Sequence, residues 1–267
     1  MFSMKHHYYN YPKSRIKEVF NARNVIVGNN PVLNILKRNG YETYLLMSKS
    51  YLLLNRPNMA YDYCNVKSNE FTYFSRGFHV DKDTYGDLKK VMLNDTLTNK
   101  PKFYFIEELT PGHITNATNL GAIAKAQREK YLKKIEEANV WLKNMIDFIV
   151  AKDPNALVVI TADHGGFVGM NTTAESKIKQ TDVDLVQSIF ASKLAIRWPD
   201  TMESPKDIKS SVNLFRILFS NLSEDQSLLN NLQSDKSYIQ IDKGAPFGVY
   251  EYLDENGNLI FNKVEKQ

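Results

Sequence analysis

The sequence predicts an α/β fold: a mostly parallel central sheet flanked by helices, with a β-hairpin at the C-terminus. Three observations carry this. Short continuous apolar runs recur along the chain, as in strands buried on both faces of a parallel sheet. Stretches with helical spacing separate them, and such alternation favours helices packed on a parallel sheet. Near the end, two β-rich segments flank an Asn-Gly pair.

In chain order, Pro31 to Arg38 reads as a helix closed by Gly40, the residue type that most easily takes the left-handed conformation after a last turn. Thr43 to Met47 follows as the first strand. Phe103 to Ile106, announced by Pro101, is the second, and Leu157 to Ile160, announced by Asp153-Pro154-Asn155, is the third. Between these last two, apolar residues at Tyr131, Ile135, Ala138, Leu142, Met145, Ile146 and Ile149 recur every three or four positions, predicting a long amphipathic helix over 127–151. A fourth strand is expected from Ile189 to Ile196, ended by Trp198-Pro199, and a further helix from Asp207 to Leu222. Gly248 to Leu253 and Leu259 to Val264 flank Asp254-Glu-Asn-Gly-Asn258 and predict the hairpin. With no internal repeat and no low-complexity linker, residues 1–267 read as one domain.

Composition bounds the function. The 267 residues are 43% hydrophobic and 24% charged, a globular balance, and 15 Tyr with 14 Phe exclude disorder throughout. A single cysteine, Cys64, excludes a disulfide scaffold and a cysteine-based zinc site, and reads as a packed thiol. The net charge of +4 is spread along the chain; it suits a weakly anionic substrate and gives no argument for nucleic acid. No apolar run has the length of a membrane helix, and the opening MFSMKHHYYNYPKSR has no apolar leader core. The chain as given is therefore expected to be soluble, without a visible export signal.

The most informative segment is Leu157 to Phe167, where a buried run leads directly into Asp163-His164-Gly165-Gly166. Ligands of open α/β sheets gather at the carboxyl ends of strands. A carboxylate beside an imidazole there suits one divalent metal, and the glycines let the backbone turn away and leave the site open. An alternative reading is a strand-end turn in which Asp163 caps the next segment and His164 bonds a carbonyl. His113, after Thr110-Pro111-Gly112, either donates to an anionic oxygen or is a loop histidine on backbone. His6 and His7 read as surface residues, and His79 as part of a helix start capped by Asp81 or Asp83. Of the adjacent Glu107 and Glu108, at most one faces a metal, because neighbours on a strand point to opposite sides. Arg216 either meets a phosphate or makes a helix-surface salt bridge.

The Asp163-His164-Gly165 segment resembles the metal motif of the alkaline phosphatase superfamily, in particular its sulfatase-like hydrolases and transferases, which include lipoteichoic acid synthases and phosphoethanolamine transferases. The order of segments is similar as well: Asn30 to Thr43, Phe103 to His113, the Tyr131 to Asp147 helix, Ser211 to Arg216 and Asp235 to Tyr238. The resemblance implies that Asp163 and His164 are metal ligands and that His113 contacts the substrate's phosphate or its leaving group. A histidine in the pair moves the expected metal toward zinc or manganese and away from calcium or magnesium, and the chemistry toward phospho-transfer or phosphodiester cleavage.

The family's nucleophile is a Ser, Thr or modified Cys at the head of a helix after the first strand, with acidic ligands upstream. Here no apolar strand precedes the first helix, and Ser3 is the only hydroxyl near that position. Cys64 lacks the surrounding residues that formylglycine formation needs. The expectation is a partial catalytic domain acting on phosphate or sulfate esters, lacking its nucleophile strand. Its substrate would be an anionic ester, lipid- or glycan-linked, with a membrane tether in a longer parent and a place on that membrane's extracytoplasmic face. The alternative is an inactive fold relative that binds a glycan, a polyanion or a protein.

Overall fold

The computed structural model describes residues 1–6, 22–72, 76–94, 99–114, 123–205 and 208–264. Contacts gather the chain into two compact units, Met1–Leu109 with Asp207–Gln233, and Thr110–Lys206 with Ser234–Gln267. His7, read as a surface residue in the sequence, lies outside the described residues.

The first unit is built on a parallel sheet. Helix α1 (Pro31–Arg38) starts at Asn30, whose side chain accepts from the Leu33 amide, and ends at Asn39, with Gly40 at φ +79° turning the chain into β1 (Glu42–Met47). Strand β1 lies between β2 (Tyr63–Cys64) and β3 (Lys102–Glu107), parallel to both, and pairs with β3 from Glu42↔Lys102 to Met47↔Glu107. Its central place explains the apolar run: Leu45, Leu46 and Met47 are fully buried. Helix α2 (Thr84–Asn94) begins where Asp83 accepts from the Gly86 amide, the cap expected from the sequence, and His79 is exposed ahead of it. Cys64 is buried in the same core, and burial pushes its thiol up, as a packed residue requires.

Helix α5 (Leu214–Ser223) completes this unit and starts seven residues later than the sequence suggests. Asn213 holds the start, because its side chain donates to the Gln233 carbonyl (2.7 Å) and accepts from the Gln233 amide (2.8 Å). The helix buries Leu214, Phe215, Leu218 and Phe219. Phe2 packs between Phe105 (4.9 Å between centroids) and Phe215 (5.5 Å), which ties the N-terminal turn to β3 and α5.

The second unit opens with α3 (Ile123–Lys152), the long helix expected from the sequence. Ala138 and Met145 on its apolar stripe are buried, while Glu136, Glu137, Lys143 and Asp147 are exposed. Strand β4 (Val158–Thr161) follows. Its partner β5 (Leu194–Arg197) runs antiparallel, from Val158↔Arg197 to Thr161↔Leu194, which corrects the expectation of a parallel partner. Val183–Phe190, part of which reads as strand in the sequence, is helix α4, capped by Asp182 accepting from the Asp184 and Leu185 amides. Val186 and Ile189 are buried at a spacing of three, a helical rather than a strand period. The end of α4 docks at the carboxyl end of β4, so the chain must run back along it.

The C-terminal hairpin of β7 (Gly248–Leu253) and β8 (Leu259–Lys263) forms as expected around Gly257 at φ +81°. Asp254 organises the turn by accepting from the Asn256 and Asn258 amides, both at 2.8 Å. A third strand, β6 (Ser237–Ile241), pairs antiparallel with β7 and makes a three-stranded sheet. Tyr252 is buried beneath it, its hydroxyl accepting from the Gln180 amide and donating to the Gln180 carbonyl. Among the described residues, no helix is long and apolar enough to cross a membrane.

Candidate functional site

Strand β4 delivers the chain to Ala162, whose amide donates to the Lys193 carbonyl (2.9 Å), and then to Asp163 and His164. Both lie at the carboxyl end of a strand, as the sequence indicates, but of an antiparallel pair. The turn that follows is fixed by α4: the Gly165 amide donates to the Ile189 carbonyl (2.8 Å) and the Phe167 amide to the Ser188 carbonyl (3.1 Å).

The two glycines are required by close approach. A Cβ on Gly165 would stand 2.2 Å from the Ser188 carbonyl oxygen, and one on Gly166 would stand 2.4 Å from the Tyr131 ring. The residue with the left-handed backbone is Phe167, at φ +56°. The sequence reading assigned the sharp turn to the glycines; they let α4 and Tyr131 of α3 pack against the turn instead.

His113 reaches the same place. The amide of its neighbour Ile114 donates to the Gly166 carbonyl (3.2 Å), and the His113 and His164 rings lie 6.1 Å apart between centroids. Phe167 touches both, 4.7 Å from the His164 ring and edge-on to His113 at 6.0 Å. This shared aromatic contact had no signal in the sequence beyond the position of Phe167 after the glycines.

Hydrogen bonding sets the two tautomers. His164 Nδ1 lies 2.7 Å from the Gly165 carbonyl and His113 Nδ1 3.1 Å from the Ile114 carbonyl. A carbonyl only accepts, so both Nδ1 atoms carry protons, and in the neutral rings both Nε2 atoms keep their lone pairs. His164 Nε2 stands 3.5 Å from Asp163 Oδ2, and the Asp163 side chain is 88% exposed. Two ligands on one tetrahedral zinc, each about 2.0–2.1 Å from it, are roughly 3.4 Å apart. The 3.5 Å separation is compatible with two corners of one tetrahedral zinc ion. The backbone bonds at the two Nδ1 atoms are the ones the alternative readings gave the two histidines, a strand-end turn with His164 on a carbonyl and a loop histidine on backbone; a ligating histidine commonly makes the same kind of contact. Among the described residues, no cluster of three or more His, Cys, Asp or Glu side chains is arranged to hold a metal.

The other sequence candidates lie in the first unit. The Ser3 hydroxyl donates to the Lys5 carbonyl (2.9 Å), inside a turn held by the buried Phe2 and Met4. Arg216 on α5 donates from Nη1 to the Met4 carbonyl, a backbone contact that neither expected role anticipated. Burial lowers its guanidinium pKa. Glu108 accepts from the Thr84 hydroxyl (3.0 Å) and from the Leu109 amide (3.0 Å).

No protein family matches the chain by profile comparison, and no curated protein matches it in sequence.

Proposed function

We propose that this chain is a sulfatase-like domain of the alkaline phosphatase type, acting in a metal-dependent hydrolase or transferase on phosphate or sulfate esters. Phosphodiester or headgroup transfer is favoured over sulfate hydrolysis. The observation that carries the reading is the Asp163–His164 pair at a ligand-like separation, with His113 beside it. The ordered segment resemblance around Asp163-His164-Gly165 adds the superfamily.

Asp163 Oδ2 and His164 Nε2 would hold zinc or manganese. Such an ion, when bound, supplies positive charge that stabilises the oxygens around the reacting phosphorus or sulfur. The chain's own groups do the rest. His113 keeps Nδ1–H on the Ile114 carbonyl, so its exchangeable position is Nε2. Protonated, Nε2 donates to an anionic or leaving oxygen; deprotonated, it takes the proton of an acceptor alcohol. Phe167, packed against both imidazoles, limits their rotation and excludes water from one side of each. Ser3 and Arg216 are given no step in this reading: the Ser3 hydroxyl donates to the Lys5 carbonyl and the Arg216 guanidinium to the Met4 carbonyl. The anionic ester is lipid- or glycan-linked, and the domain belongs to a membrane-tethered parent.

The test is turnover of aryl phosphates, phosphodiesters and sulfates by this chain and by the longest in-frame product of its gene, with zinc or manganese. The expected result is metal-dependent turnover, slow in the chain alone, that falls about a hundredfold or more in His164→Ala. Robust turnover unaffected by His164→Ala removes the metal mechanism. Metal-independent binding of a polyanion or glycan without turnover by either product supports the inactive relative instead.

A further inference from the structure

The connection between β6 and β7 carries a grouping that the proposed chemistry does not use. Phe247 is 61% exposed at its tip, beside the exposed Pro246. The tip is braced: the Tyr250 hydroxyl donates to the Pro246 carbonyl (2.7 Å), and the buried Tyr250 ring stacks on Phe261 of β8 at 4.2 Å. Single exposed apolar residues are ordinary on protein surfaces, and the surroundings set this one apart. Lys263 reaches the residue after Phe247, so that a Cβ on Gly248 would stand 2.7 Å from its Cε and 3.5 Å from its Nζ. Lys179 lies at the start of the loop. Its amide donates to the Lys243 carbonyl (2.9 Å), and a Cβ on Gly244 would stand 3.1 Å from its own Cβ. The Lys179 Nζ sits 4.4 Å over the Phe261 ring. Lys179, Lys243 and Lys263 are all exposed, and none forms an ion pair with a described residue. The carboxylates of the same sheet are engaged elsewhere: Asp242 accepts from the Gln240 side chain (2.7 Å) and Glu251 from Lys236 (3.1 Å), while Asp254 organises the turn at the far end of β7. Three lysines without counter-ions thus flank one apolar tip on a braced loop. An anionic bilayer matches both parts, with headgroup phosphates for the ammonium groups and the acyl boundary for the ring. A nucleic acid matches the lysines less well as a whole, because the net charge of +4 is spread along the chain rather than gathered into a stripe.

We propose that the Pro246-Phe247 tip, with Lys179, Lys243 and Lys263, is a docking surface for an anionic lipid bilayer. Phe247 enters the boundary between headgroups and acyl chains, and the lysines stay at the phosphates. The contact needs neither metal nor substrate, so it stands apart from the metal-dependent reading.

The test is co-sedimentation of the full chain with vesicles of phosphatidylcholine, alone or mixed with phosphatidylglycerol. Binding is expected to the mixed vesicles only, and it should fall as salt is raised and the lysine charges are screened. Lys179→Gln/Lys243→Gln/Lys263→Gln should weaken it roughly a hundredfold, since each lysine near an anionic surface contributes about fivefold. The corresponding triple Arg variant should retain most of it, which separates lost charge from lost folding. Phe247→Ala should weaken it roughly fivefold or more, and Phe247→Leu less. Asp163→Ala/His164→Ala should bind as the parent does. Equal binding to both kinds of vesicle, or a triple Gln variant that binds like the parent, overturns the proposal. Binding that soluble heparin matches and that Phe247→Ala leaves unchanged makes the patch a general polyanion surface and overturns the membrane assignment. Vesicle binding without turnover keeps this surface and removes the proposed reaction; turnover without vesicle binding does the reverse.

Discussion

Gly165→Ala should destabilise the second unit more than any other single-methyl addition at the Asp163-His164 turn. The new Cβ would stand 2.2 Å from the Ser188 carbonyl oxygen, 2.9 Å from its carbon and 3.3 Å from the Ala191 oxygen. These are backbone atoms of α4 and its cap, so no rotamer change relieves the contact; the helix end must retreat by about 1 Å on a steep repulsive wall. That movement strains the Gly165–Ile189 and Phe167–Ser188 hydrogen bonds. Overpacking of this kind costs roughly 1–3 kcal/mol, and weakening two backbone bonds adds about 1 kcal/mol each. The stiffer unfolded chain of alanine returns about 0.4–1 kcal/mol. The net loss is therefore about 2–4 kcal/mol. Gly166→Ala meets the Tyr131 ring instead, at 2.4 Å, and a side chain can swing aside. It should cost less, about 1–2 kcal/mol, and Tyr131→Ala in the same background should be less damaging than in the parent. Both tryptophans, Trp141 and Trp198, lie in the second unit, so urea unfolding followed by tryptophan fluorescence reads this unit directly. A Gly165→Ala loss below about 0.5 kcal/mol, or one relieved by Tyr131→Ala, refutes the packing argument.

Two further predictions concern the first unit. Asn30 is buried; it caps α1 through Oδ1 and donates from Nδ2 to the Val25 (2.8 Å) and Gly28 (3.2 Å) carbonyls. Asn30→Ala should cost about 2–3 kcal/mol by urea unfolding monitored by circular dichroism, and Asn30→Asp, normally as good a cap, should not rescue it, because a carboxylate cannot donate to those carbonyls. At Asp62, burial raises the carboxyl, but hydrogen bonds from Lys37 (2.8 Å) and from the Thr43 hydroxyl (2.8 Å) and amide (2.9 Å) outweigh it and hold the group below its ordinary value. A depressed folded pKa gives stability that is present above the unfolded value, near 4, and lost as pH falls through the folded one. Asp62→Asn should then cost about 1 kcal/mol at pH 7, a modest figure because the carboxylate is partly exposed, and the difference should shrink as pH falls below the ordinary carboxylate range. A cost that persists at low pH contradicts the assignment.

The fold was legible wherever one periodicity was unambiguous. The α1–Gly40 corner, the strand β1 and the α3 stripe follow from local pattern, because each buries a continuous apolar face. The α4–β5 segment was not. Ile189 and Phe190, read as the start of a strand, close helix α4, and the strand begins only at Leu194. The direction of β5 depends on where α4 docks, a tertiary fact carried by the missing Cβ of Gly165. At the site, residue types pointed to Asp163, His164 and His113, which the structure brings together. Tyr131 read only as part of the α3 stripe, and its approach to Gly166 carried no separate signal in the sequence. The Arg216 backbone contact carried no sequence signal, because its acceptor, the Met4 carbonyl, is more than two hundred residues away in sequence.

The most direct test of the central claim is calorimetric titration of zinc into this chain at neutral pH. In the proposed reading the Asp163–His164 pair would supply two ligands where zinc proteins use three or four, so binding is expected near micromolar at best, one ion per chain, with water completing the shell. It should vanish in Asp163→Ala/His164→Ala and persist in His113→Ala. Tight zinc binding that survives the Asp163→Ala/His164→Ala change would place the ligands elsewhere and contradict the account.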